Sequence, residues 1–247
     1  MQILYQDDQI VAVHKPAGLL VHRTDIAHGQ TDEFALQQVA ELTGKYVYPL
    51  HRLDRPTAGV LLFAFDEDST RQLKADFTEQ RIQKTYQAVV RGWMTDEQLL
   101  DYPLKKVLFD RRKKKKLKEK ELEIERQEAV THIRPIATTE LPIPVGRYET
   151  ARYTLVELQP KTGRTHQLRR HLAHLRHPII GDKRYGDRDH NRMFVEQFDC
   201  DRLFLTAVRL ELTHPLTEKR LKIETSLDPD IETVIRTIGL LTTPRAK

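Results

Sequence analysis

Apolar residues fall along the chain in short runs and helical stripes, grouped into two structured stretches around a charged middle. Ile3-Leu4-Tyr5, a turn at Asp7-Asp8 and the apolar run from Ile10 to Val13 predict an opening hairpin. Lys15-Pro16-Ala17-Gly18 ends it with two backbone punctuators. Asp32 as N-cap and Gly44 as C-cap bracket a helix whose Leu36, Val39 and Ala40 lie on one side. The unbroken apolar run from Val60 to Phe65, between Gly59 and Asp66, suits a strand buried on both faces. Ser69 with Gln72 reads as a capping box for a helix to about Thr78. Thr85 to Val90 reads as a further strand that Gly92 closes.

From Lys105 to Gln127 the pattern changes. Arg111 to Lys120 holds eight basic residues in ten, Glu-rich sequence follows, and the stretch reads as an exposed helical or flexible excursion. A second strand-rich half begins near His132 and includes Tyr153 to Leu158. Leu168, Leu172 and Leu175 recur at i, i+4, i+7 and give a helix from about Thr165 to Leu175 a narrow core-facing stripe. Leu203 to Leu212, a turn at Thr217-Glu218 and Leu221 to Ile223 predict a late hairpin, and Ile231, Val234, Ile235 and Ile238 a closing amphipathic helix. Strands and helices do not alternate regularly, so the fold class expected is α+β. One catalytic-sized domain over residues 1–247, with a charged insertion at about 105–130, accounts for the whole pattern.

Composition narrows the function classes. No window approaches the ~18 apolar residues of a membrane span, and Met1-Gln2-Ile3-Leu4-Tyr5 reads as a strand rather than a targeting signal. Cys200 is the sole cysteine, which excludes an intramolecular disulfide or a multi-cysteine zinc site and suits a reducing cytoplasm. The net charge of +5 says little by itself. Its distribution says more: Lys161 to Arg192 holds nine Lys or Arg and five His against three Asp, a surface that attracts phosphate.

Three segments have the residue types for chemistry. His51-Arg52-Leu53-Asp54-Arg55-Pro56-Thr57-Ala58-Gly59 precedes the buried strand and sets an acid between two arginines on a restricted loop. Flanking arginines would keep that carboxylate ionised, as a nucleophile or base requires, although a charged surface turn has the same appearance. Tyr86, Ala88 and Val90 share one face of their strand, so Tyr86 is either a ring and hydroxyl presented at a cleft or an ordinary core tyrosine. Lys161-Thr162-Gly163-Arg164-Thr165-His166-Gln167-Leu168-Arg169-Arg170-His171 is a glycine turn opening a helix, whose first amides and cations suit a phosphate or simply face water. Arg169 lies about 60° from Leu172 on a helical wheel, at the rim of the buried stripe and able to reach a buried carboxylate; Arg170 turns further toward solvent. His171, His174 and His177 drift round the helix at three-residue steps, so a metal site is not expected.

In chain order these segments resemble the RluA-type family of pseudouridine synthases. The resemblance rests on Val13-His14-Lys15-Pro16-Ala17-Gly18-Leu19, His51 to Ala64, Lys84 to Tyr86, and Thr162 to Arg169, with Pro178, Ile179, Gly181, Asp182, Tyr185 and Gly186 trailing. It implies a mixed, mainly antiparallel sheet flanked by helices, with a catalytic cleft between two halves. It also implies Asp54 as the catalytic aspartate, Tyr86 stacked on the target base, and Arg169 paired with the aspartate. Arg52 would hold RNA, with His51, Arg55, Lys15, Arg164 and His166 also on the substrate side, and Leu221 or Ile223 would form an apolar pocket floor.

The reaction so implied breaks N1–C1′ of uridine, joins C5 to C1′ and removes the C5 proton. It needs no redox or energy input, hence no cofactor and no metal. Asp54 would serve as nucleophile or as base toward the ribose; both roles fit the residues. Within the family the likeness is greatest to the TruC type, which modifies uridine 65 of tRNA: no S4-like module precedes the first motif, and Val21-His22-Arg23 and Arg55-Pro56-Thr57 are shared. The strongly basic Arg111–Lys120 run departs from that type and leaves room for ribosomal RNA. A non-catalytic RNA-binding protein and a glycoside or nucleoside hydrolase are the alternatives, the last usually needing two carboxylates. A cytoplasmic monomer with RNA as partner and no obligate protein partner is expected.

Overall fold

The computed structural model describes residues 1–22, 34–107 and 124–241. The expected Asp32 N-cap, Arg23 and the Arg111–Lys120 run lie outside them. The strands are β1 (Gln2–Gln6), β2 (Ile10–Lys15), β3 (Tyr48–Pro49), β4 (Ala58–Ala64), β5 (Gln83–Arg91), β6 (Gln98–Asp101), β7 (Leu104–Lys105), β8 (Arg126–Gln127), β9 (Val130–Leu141), β10 (Ala151–Pro160), β11 (Leu205–Thr213) and β12 (Arg220–Glu224). The helices are α1 (Ala35–Thr43), α2 (Glu67–Thr78), α3 (Gln167–His174), α4 (Arg188–Phe198) and α5 (Pro229–Thr237).

Ten strands make one mixed sheet in the order β1-β2-β4-β11-β5-β10-β9-β6, with β12 on β11 and β3 on β4. Among the described strands only the β4–β11 pairing is parallel; the others are antiparallel, so the architecture is the α+β one expected. Central strands read as continuous apolar runs because both their faces are covered. Along β2, Ile10 and Ala12 enter one core with Leu62, Leu73, Leu210 and Ile223, while Val11 and Val13 enter another with Val39, Leu53, Leu61 and Phe63. A third and larger core joins β5, β9 and β10 to Leu168 and Leu172 of α3, Phe194 of α4 and Ile231, Val234 and Ile235 of α5. Tyr86 packs against two of these cores, at the junction of the halves.

Two local expectations change. Helix α2 is capped by Asp66, whose Oδ1 accepts the Ser69 amide at 2.7 Å and whose Oδ2 accepts its hydroxyl at 2.8 Å. The helix therefore starts at Glu67, and Ser69 sits inside its first turn instead of capping it. The ends of the charged stretch, read as a helical or flexible excursion, pair as the ribbon β7–β8.

Candidate active site

Asp54 sits on the loop between β3 and β4, and the sequence around it explains why that loop holds still. Leu50 and Leu53 are buried in two different cores, each worth about 1.5–3 kcal/mol. Between them, His51 Nε2 accepts the Leu62 amide at 3.1 Å. Burial, assisted by the charge of Lys84, holds the His51 imidazole neutral with its pKa near 3. After Asp54 the chain turns, its carbonyl accepting the Thr57 amide at 3.0 Å. Gly59 then enters β4 at φ +112, where a Cβ would lie 2.2 Å from the Ala207 carbonyl oxygen. Only glycine lets β4 and β11 run side by side here.

The far side of Asp54 is bound to the first motif. Arg55 and Gly18 exchange hydrogen bonds, Gly18 N–H to the Arg55 carbonyl at 2.8 Å and Arg55 Nε to the Gly18 carbonyl at 2.9 Å. Lys15, expected on the substrate side, is instead fully buried beneath this turn. Its ammonium donates to the carbonyls of Pro16 (2.8 Å), Leu19 (2.9 Å) and Arg55 (3.3 Å). Burial pulls its pKa down to about 7 against the upward pull of Asp54. Lys15 and Arg55 thus shape the loop.

From the other half of the molecule, α3 delivers Arg169. Its Nη1 lies 3.3 Å from Asp54 Oδ2, while Nε and Nη2 make a fork to Asp182 at 2.7 and 2.8 Å. Burial opposes the guanidinium's charge, but the two carboxylates outweigh it and hold its pKa above the ordinary arginine value. Asp182 is itself buried and also accepts the Arg184 and Tyr185 amides, which together with Arg169 keep it ionised against desolvation. The pairing of Arg169 with Asp54 follows the wheel, with one difference: Arg169 is buried rather than at a rim. The counter-charge read from flanking Arg52 and Arg55 is supplied by Arg169.

His166 precedes the helix in a left-handed conformation, φ 55. Its Nδ1 is 3.0 Å from the Tyr185 hydroxyl and its Nε2 is 3.9 Å from Asp54 Oδ2. Burial lowers its pKa against the opposing charge of Asp54. The Tyr86 hydroxyl is shifted upward by burial first and by Asp54 second, so the phenol stays protonated.

These groups line one cleft of about 660 Å³. Asp54, Tyr86, Arg169, His51, Arg52, Arg164 and His166 all face it. Arg164 also donates to the Glu128 carbonyl at 2.8 Å, just after β8, and Arg170 to those of Lys105 in β7 and Thr165, so the two arginines hold the β7–β8 ribbon beside the cleft. The glycine turn satisfies itself, the Gln167 side chain accepting the Arg164 amide and the Thr162 hydroxyl. Leu221 and Ile223 are not the floor: β12 sits at the edge of β11 and packs them with Leu62 and Leu210. The apolar lining comes from Leu50, Leu53, Phe77, Leu168 and Leu205. The three histidines at three-residue steps have protein partners: His171 bonds Thr131 and the Tyr102 carbonyl, His174 stacks on Tyr102, and His177, beyond the helix, bonds the Arg91 carbonyl. Sequence reasoning quoted Asp182, Tyr185 and Lys84 but gave them no place in the site. For Lys84 the signal was present, since it leaves β5 on the face of Tyr86.

The family model described as RNA pseudouridylate synthase matches residues 9–174, which contain Asp54, Tyr86 and Arg169. The chain belongs to that family. Its resemblance to pseudouridine synthases, read from four motifs, extends over nearly the whole length. It is 50% identical over 228 residues to tRNA pseudouridine synthase C of Vibrio cholerae serotype O1, covering 92% of this chain and 91% of that one. With tRNA pseudouridine synthase C of Salmonella typhi it shares 49% over 239 residues, 97% and 90% of the two chains. Among solved structures, Human RNA Pseudouridylate Synthase Domain Containing 4 superposes with a TM-score of 0.68 at 25% identity, covering 96% of this chain and 92% of that one. The fold of this pseudouridylate synthase family member is therefore the one its motifs implied.

Proposed function

We propose that the protein isomerises a uridine of tRNA to pseudouridine, with uridine 65 as the target, and that Asp54 is the carboxylate that reacts. The observation that carries this reading is Asp54 itself, ion-paired to Arg169 across the cleft in which Tyr86 also stands. Asp54 is the only carboxylate among the described residues lining that cleft, whereas hydrolysis of a glycosidic bond usually employs a pair. An isomerisation needs one: the carboxylate acts at the ribose as N1–C1′ breaks, the detached uracil turns, C5 bonds C1′, and the C5 proton leaves while N1 is protonated. Tyr86 supplies a flat, uncharged ring against the base and a hydroxyl that handles a proton. A base reaches this cleft only by leaving its helical stack, and Arg52 at the exposed mouth meets the backbone.

The reading includes a single catalytic domain working as a monomer in the cytoplasm, without metal or cofactor. Among the described residues no helix is long and apolar enough to cross a membrane. Site-resolved pseudouridine mapping of total RNA from cells with and without the protein tests the substrate. Loss of one tRNA signal at position 65 is expected; loss of a ribosomal RNA signal instead would overturn the choice of tRNA.

A further inference from the structure

The cleft lined by the Thr162–Arg169 turn also holds a cation with no counter-ion among the described residues. Lys84 is half-buried and lines the cleft, and among the described residues its ammonium has no ion-pair or hydrogen-bond partner. Burial lowers its pKa, and no carboxylate acts in the opposite direction. An ammonium withdrawn from water in this way is stabilised when an anion arrives. Two residues before Tyr86 on β5, it leaves the same face of the strand, roughly 7 Å along it. His51 lines the same cleft. Its Nε2 is occupied as the acceptor of the Leu62 amide, so the neutral ring carries its proton on Nδ1. Among the described residues that N–H has no protein acceptor.

We propose that Lys84, the Nδ1–H of His51 and Arg52 at the mouth form a phosphate site for the RNA backbone next to the everted nucleotide. A charged donor, a neutral donor and a guanidinium together match the several oxygens of one phosphodiester. The site rests on the pseudouridine synthase reading only for which phosphate it takes. Its placement one strand step from Tyr86 lets the backbone be gripped while the base reaches the ring. The competing role for Lys84 is to serve the carbonyl end of α2, since Phe77, Thr78 and Gln80 line the same cleft.

Binding by the Asp54→Asn protein separates these roles without requiring turnover. The probe is a tRNA minihelix of acceptor stem and T arm, with single neutral methylphosphonates placed one at a time around the target uridine. One substitution beside that uridine should weaken binding about tenfold. In the Lys84→Met protein the same substitution should change affinity by less than about twofold, because the contact is already gone. The slope of log K against log salt should become shallower by about 0.7–0.9, and Lys84→Arg should restore most of it. In the active protein the Lys84→Met loss should fall on KM rather than kcat. Equal methylphosphonate penalties in both proteins would overturn the proposal. A lowered Tm with unchanged RNA affinity would also overturn it and assign Lys84 to α2. If the penalty holds but the wild type leaves every uridine unchanged, the phosphate site stands and the isomerase reading falls.

Discussion

Both protein contacts to the Asp54 carboxylate fall on Oδ2, Arg169 at 3.3 Å and His166 at 3.9 Å. Oδ2 is thus the oxygen turned toward Arg169, and in the proposed reaction Oδ1 is the one left to meet the ribose. Arg169 can hold its position because Asp182 takes its other two nitrogens. Asp182→Asn should therefore cost about 3–5 kcal/mol of stability, the usual penalty for breaking a buried pair. It should also lower kcat at least about tenfold as Arg169 swings off Asp54. Urea unfolding and single-turnover conversion measure the two. Arg169→Ala should impair turnover more than Arg170→Ala, because among the described residues Arg170 reaches only the carbonyls of Thr165 and Lys105; equal losses in kcat/KM would count against this geometry. The motif around Asp54 fitted a charged surface turn as well as a reactive carboxylate, while the helical wheel put Arg169 within reach of a buried carboxylate and the family resemblance paired the two. Asp182 was not legible, because its partner lies thirteen residues back on another element and neither residue's neighbours in sequence announce the fork.

At the scale of elements, the site depends on one tight contact between β4 and β11. Gly59→Ala sets a Cβ 2.2 Å from the Ala207 carbonyl oxygen at a backbone angle alanine avoids. Strain of this kind costs about 1–3 kcal/mol before the clash is counted. The expected result is a lower urea midpoint together with reduced turnover, since the Asp54 loop enters β4 through this residue. The buried strands were readable because both faces are covered, and the short run from Val60 to Phe65, flanked by Gly59 and Asp66, is too brief for a typical helix. The opening hairpin, the late hairpin and the closing helix also sit where their patterns placed them. Helix α4 was missed: Met193, Phe194 and Phe198 give it a thin stripe, and its start depends on Asp187 accepting the Asp189 and His190 amides. The floor was misplaced for a related reason. Nothing in Leu221 or Ile223 tells which side of β11 their strand joins, and that pairing decides what they touch.

Over the whole molecule, the second strand is tied to the start of the last helix. His14 of β2 lies 2.6 Å from Asp228 and 2.8 Å from Thr225, and Arg202 also binds Asp228 at the start of α5. Burial pushes the Asp228 pKa up, but the bonds from His14 and Arg202 outweigh it and draw it down to about 2. A depressed carboxylate stabilises the fold fully above its unfolded value near 3.8, and the contribution disappears as pH falls toward 2. Urea midpoints should show about 2 kcal/mol lost across that window, and Asp228→Asn should flatten the slope there. The motifs foretold the family and its fold because they lie at the junction of the two halves, where chain positions far apart must meet. The most direct test is to incubate purified protein with an unmodified tRNA transcript, without metal or nucleotide, and to map pseudouridine at single-nucleotide resolution. Wild type should convert one uridine, and Asp54→Asn should bind the same RNA and convert none. Conversion by Asp54→Asn, or none by the wild type, would contradict the role given to this cleft.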